Sequence, residues 1–197
     1  MGEMNGHWNP YCAYTASGRP KGASHSTAAF RKAFARIYVI LHGGTMDEMN
    51  AKLRRLGLHP VDRDLPGNAY PQLQVVWNPQ GYGSPDVPGN SAQAYYPGDA
   101  YVDVVGDDLY DIRFKAEWPA AEKLYNAHPS KPFAFPEWGL WGIDDPSFVR
   151  AMAKWIKTHR RTELVSYFKS QPGAIWDLAS KPKSLAAYRS LIVPLGR

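Results

Sequence analysis

Phe133-Ala-Phe-Pro-Glu-Trp-Gly139, followed a few residues on by Asp145-Pro-Ser-Phe-Val149, joins a short apolar run to a helix start through a polar turn. The run Phe133-Ala-Phe135 reads as a strand that ends in Pro136-Glu137-Trp138-Gly139. Asp145 is a natural N-cap with Pro146 at the first helical position, and Phe148, Val149, Met152, Trp155 and Ile156 form one buried stripe. Strand, loop and helix in that order make the repeating piece of a parallel sheet.

The same piece recurs on both sides. Downstream, 163–168 reads as a strand, 169–181 as a loop containing Ile175-Trp176-Asp177, and Leu185, Tyr188, Leu191 and Ile192 as a closing helix. Upstream, 73–77 is a β-branched run ended by Asn78-Pro79, and a Gly-, Pro- and Tyr-rich loop covers 80–99. A second strand is expected over 101–105, running out into Gly106-Asp-Asp-Leu-Tyr110, with a short helix over 118–126 opened by Pro119. Before these come two helices. One starts at Ser26, carries Phe30, Phe34, Ile37, Tyr38 and Leu41 at helical spacing, and stops at Gly43-Gly44. The other starts with the capping box Thr45 and Glu48, buries Met49, Leu53 and Leu56, and ends at Gly57. Residues 1–25 read as a long loop. The alternation predicts an α/β fold with polar and aromatic clusters at the C-terminal ends of strands, the placement used by (β/α)8 barrels and open α/β sheets.

The chain has 197 residues, 44% of them apolar, enough for a sizeable core. Lys and Arg number 23 against 18 Asp and Glu, a net +5 without a run of like charge, which argues against a dedicated nucleic-acid binder. Cys12 is the lone cysteine, so no internal disulfide and no Cys-pair zinc site is possible. The longest aliphatic stretch, Ile37 to Leu41, is too short for a membrane span. The first residues lack the basic and apolar regions of a signal peptide. No glycine-rich phosphate fingerprint follows a strand, and neither the histidines nor Asp99, Asp103, Asp107 and Asp108 have metal-ligand spacing, so neither cofactor nor metal is expected. The aromatic load of 7 Trp, 12 Tyr and 7 Phe, much of it beside Gly, Pro, Asn or Asp, suits flat sugar faces.

Glu3, in Glu-Met-Asn-Gly-His-Trp8, and Glu137 each sit among loop aromatics at an element boundary. Cleaving a glycosidic bond takes two carboxyl groups, one to protonate the leaving oxygen and one to attack or to activate water. These motifs resemble glycoside hydrolase family 26, the β-mannanase family of a retaining (β/α)8 clan. Its acid/base motif matches Glu3 to Trp8, and its nucleophile motif matches Glu137-Trp138-Gly139. Tyr96-Pro-Gly-Asp-Ala-Tyr-Val-Asp103, Val105-Gly-Asp-Asp-Leu-Tyr110 and Trp77-Asn-Pro79 also resemble family segments, and all fall in the family's order.

The resemblance implies a retaining double displacement with Glu3 as acid/base and Glu137 as nucleophile, the latter held by a hydrogen bond from Tyr110. A retaining pair is expected to have its carboxyl groups about 5 to 5.5 Å apart. Asn5, His7, Trp8, Trp138, Trp141 and Trp176 are expected to line the substrate, a β-linked polysaccharide or oligosaccharide. An extracellular parent protein is implied as well. Two positions depart from the family: Gly2 stands where a histidine precedes the acid/base, and Ser166-Tyr-Phe-Lys-Ser170 lacks the strand-eight tryptophan. Both lie where the sugar at the cleavage point would sit, so the expected substrate widens from mannan to other β-glycans. Aligned this way, residues 1–197 are the C-terminal part of a catalytic domain, an incomplete barrel from the end of strand four, with a strand stub at Met1-Gly2. Such a piece is expected to be poorly soluble or inactive by itself. The competing reading is a carbohydrate-binding fragment without catalysis.

Overall fold

A computed structural model describes residues 2–67 and 72–196; Met1, half of the expected strand stub, lies outside them. The chain is α/β and divides into two compact units, Met1–Val104 and Val105–Arg197.

In the first unit, α1 (Thr27–His42) and α2 (Met46–Arg55) start where the capping residues require. The Ser26 hydroxyl accepts from the Ala29 amide, and the Thr45–Glu48 capping box is complete in both directions. Val39, Met49 and Leu53 form the core between the two helices, covered by Leu58, Val61, Leu65 and Tyr101. A second, aromatic core sets Phe30 edge-on to Tyr95, at 5.4 Å between ring centres. Strand β1 is only Val76–Trp77, shorter than the expected 73–77. Val75 instead spends its amide on the Asp103 carboxylate, while its carbonyl accepts from the amides of Asp103 and Val104.

Asp103 accepts from the Tyr38 hydroxyl and pairs with His42 as well, and Asp99 accepts from Tyr96. Burial and the bond to Asp103 push the Tyr38 phenol up to about 12. Asp103 thereby ties the turn before Val104 to α1, while the Tyr96 bond of Asp99 stays within its own loop. Among the described residues, no three or more His, Cys, Asp or Glu group where a metal ion could be held, and no helix is long and apolar enough to cross a membrane.

The second unit alternates β2 (Val104–Ile112), α3 (Trp118–Ala127), β3 (Phe133–Trp141), α4 (Pro146–Thr158), β4 (Thr162–Tyr167) and α5 (Pro182–Ala187). β3 pairs in parallel with β2 on one side and β4 on the other. Phe133, Phe135, Phe148, Met152 and Trp155 pack between sheet and helices. The expected strand over 101–105 is displaced: Asp99–Tyr101 is a 3-10 turn, and β2 instead covers the polar stretch through Ile112. The closing helix forms over the expected residues, α5 continuing from Tyr188 to Ile192 with wider, π-helical winding.

Asp111 on β2 faces Asp145, the N-cap of α4, and the two carboxyl groups shift each other's ionisation. Asp111 is buried, and its Oδ1 has no hydrogen-bond partner among the described residues. Burial first, then the Asp145 charge, push Asp111 up to about 6, whereas an unfolded Asp titrates near ~3.9. Burial acts upward on Asp145 too, but the Ser147 hydroxyl and amide outweigh it and hold that carboxyl below its usual range. The fold therefore prefers Asp111 protonated. The stability it contributes is full below about pH 4 and is lost as pH rises through about 6. Asp111→Asn keeps a donor toward Asp145 and removes the buried charge. Thermal unfolding at pH 7.5 should show a Tm about 2–4 °C higher than wild type, and the gain should disappear at pH 4.

Candidate functional site

Glu3 has φ +48°, a left-handed conformation that costs a non-glycine residue roughly 1 kcal/mol or more. Several bonds to the backbone hold it there. The Glu3 amide donates to the Asn78 carbonyl at 2.7 Å, and the Glu3 carbonyl accepts from the Gly6 amide and from Asn9 Nδ2. The Tyr11 hydroxyl donates to the Gly2 carbonyl at 2.8 Å, and burial, then the Glu3 charge, raise the Tyr11 phenol above its ordinary value.

The Glu3 carboxylate accepts from Trp8 Nε1 on Oε2 at 2.7 Å and from Gln80 Nε2 on Oε1 at 2.9 Å. Trp8 reaches back over Gly6, where a Cβ would lie 2.4 Å from the indole, so only glycine admits this ring position. Half of the Trp8 surface remains exposed. His7 is exposed and in contact with Ser84 Oγ at 3.3 Å.

Asn5 does not line an open surface, contrary to the sequence expectation. It is fully buried, its Nδ2 donates to the carbonyls of Gln80 and Tyr82, and its Oδ1 accepts from the Gln80 amide. Its carbonyl takes a bond from Asn90, which in turn accepts from Tyr95. With its polar atoms spent inside the protein, Asn5 fastens the Glu3 loop to the segment carrying Gln80.

In the second unit, β3 carries Glu137 at an irregularity. The pairing register with β4 shifts between Phe135 and Trp138, a stretch that includes Pro136, whose missing N–H cannot complete a ladder. Tyr110 on β2 lies opposite Gly139 and donates to Glu137 Oε2 at 2.7 Å. A Cβ on Gly139 would come within 3.2 Å of the Tyr110 ring, so the glycine lets the phenol lie flat across the strand and reach the carboxylate two residues away.

Four rings then close a circuit, each nearly perpendicular to the next: Tyr110 to Trp141, Trp141 to Trp176, Trp176 to Phe168, and Phe168 back to Tyr110, with centres 5.1 to 6.2 Å apart. Trp141 is 42% exposed. The loop bearing Trp176 is pinned by the Gly142 amide on the Ile175 carbonyl and by Lys181 Nζ on the carbonyls of Ile175 and Asp177.

Trp138 is the second correction. It points to the other side of β3, is fully buried, and packs against Phe148, Tyr167 and Tyr188, leaving no face for a ligand. Two residues that sequence reasoning passed over belong to these groupings. Phe168 completes the aromatic circuit, at the end of the strand where the family resemblance expects a tryptophan. Gln80 reaches Glu3 across 77 positions. The ring at the strand end was a usable signal; the distant amide gave none.

The chain matches no protein-family model and no curated protein. The chemistry of its two carboxyl groups therefore has to be read from their surroundings.

Proposed function

We propose that the chain is part of a retaining glycoside hydrolase acting on a β-linked glycan, similar to family 26, built on the C-terminal portion of a (β/α)8 barrel. Glu137 is the nucleophile and Glu3 the acid/base. The observation that carries this reading is the Tyr110–Glu137 bond at the irregularity of β3, set against exposed aromatic surface. A phenol bonded to one oxygen orients the carboxylate and leaves the other to attack the anomeric carbon. The parallel α/β alternation and the constrained Glu3 with its bound Trp8 support the same reading.

In the first displacement Glu3 gives its proton to the glycosidic oxygen while Glu137 forms a bond to the anomeric carbon. In the second, water gives a proton to Glu3 and its oxygen displaces Glu137, so the configuration is retained. Trp8 and Trp141 offer open ring surface on which pyranose faces can stack. In this reading the protein acts outside the cell, where polymeric glycans are met.

The natural protein is tested by incubation with mannan, mixed-linkage β-glucan and xylan, followed by assay of reducing ends. Release from one of them is expected. Binding to such a glycan without release would move the assignment to a carbohydrate-binding module.

A further inference from the structure

Trp8 and Gln80 both donate to the Glu3 carboxylate, but they differ in what else they can do. An indole N–H only donates. A primary amide carries a donor and an acceptor on one rotor. Gln80 is buried, and its Oε1 is sealed from solvent without a partner among the described residues. Its main chain is fixed on both sides by Asn5, whose Oδ1 takes the Gln80 amide at 2.9 Å and whose Nδ2 holds the Gln80 carbonyl at 2.8 Å. The side-chain amide can therefore turn over on a stationary backbone. A buried acceptor left empty beside a carboxyl group is costly, unless a second state of that group fills it.

We propose that Gln80 is a positioning residue serving both protonation states of Glu3: Nε2 donates to the carboxylate, and after half a turn Oε1 accepts the O–H of the carboxylic acid. The inference rests on Glu3 being the acid/base. In the resting acid the proton lies against Gln80 Oε1, and the glycosidic oxygen of a bound substrate competes for it. As the proton passes to that oxygen, the C–O bond breaks with its electron pair moving to the leaving group, and the new carboxylate takes the Gln80 N–H. When water later returns a proton to Glu3, the amide turns back. Trp8 stays on Oε2 throughout, because its donor remains useful in both states.

The test uses Gln80→Met, which keeps the length of the side chain and removes both polar functions, and Gln80→Asn, which is too short to reach. Aryl and alkyl β-glycosides of the sugar that the natural protein cleaves are the substrates. A dinitrophenolate leaves without a proton, whereas an alkoxide needs one. Both variants are expected to lose about 10- to 100-fold in kcat/KM on the alkyl glycoside, and less than about 3-fold on the dinitrophenyl glycoside. Equal losses on the two substrates, no loss on either, or failure of both variants to fold would assign Gln80 to structure alone and overturn the proposal. Glu3→Ala run in parallel separates the two levels. If it hydrolyses the alkyl glycoside like wild type, the acid/base reading itself falls. A large Glu3→Ala loss with Gln80→Met unaffected removes only the role of Gln80.

Discussion

Glu137→Gln in the natural protein should lower kcat on a cleaved β-glycan by about 10⁴-fold or more while leaving glycan affinity within a few-fold of wild type. The carboxamide has nearly the volume of the carboxylate, and its oxygen can still accept from the Tyr110 hydroxyl, so the aromatic circuit of Tyr110, Trp141, Trp176 and Phe168 keeps its shape. What is lost is the anionic oxygen that bonds to the anomeric carbon. Reducing-end assays and isothermal titration with the matching oligosaccharide measure the two quantities separately. Hydrolysis within ten-fold of wild type would remove Glu137 from the mechanism.

Glu3→Ala has the second largest expected effect, and its signature is a pattern across substrates. Turnover of glycosides with alkoxide leaving groups should fall about 10²- to 10⁴-fold, the usual contribution of a positioned general acid. Dinitrophenyl glycosides should still form the glycosyl-enzyme, which then accumulates because no base activates water. Azide, small enough for the space the carboxylate vacates and nucleophilic without a base, should restore turnover and give a β-glycosyl azide. Uniform loss on every substrate, unaffected by azide, would mean that Glu3 serves the loop and not the chemistry. That alternative has content, since Trp8 and Gln80 would both lose an acceptor in the variant.

Elements governed by local chemistry were legible in the sequence. Ser26, the Thr45–Glu48 box and Asp145-Pro146 start their helices where capping rules place them, because an N-cap answers to backbone donors within one turn. Strand β2 was displaced for the opposite reason. Asp107, Asp108 and Asp111 give 104–112 the composition of a loop, yet all three are buried in the strand, where burial and Asp145, 34 positions away, push Asp111 toward its neutral form. Likewise Pro136 argues against a strand, and β3 passes through it by shifting register.

The Tyr110–Glu137 contact that the resemblance implies is present in the fold. The motif could not tell an outward side chain from an inward one. Asn5 and Trp138 stand beside residues with open surface and are themselves sealed, one by backbone bonds, the other by Phe148, Tyr167 and Tyr188. Gln80 depends on a contact that only the folded chain makes.

The most direct test is covalent trapping. A 2-deoxy-2-fluoro glycoside of the cleaved sugar with a dinitrophenolate leaving group forms the glycosyl-enzyme faster than water releases it, because fluorine destabilises both transition states and the leaving group compensates only in the first. Mass spectrometry of the digested protein should find one sugar, ester-linked to the peptide that contains Phe133-Ala-Phe-Pro-Glu-Trp-Gly139, at Glu137. Adduct on any other carboxylate, or turnover of the parent glycoside with no adduct formed, would contradict the account.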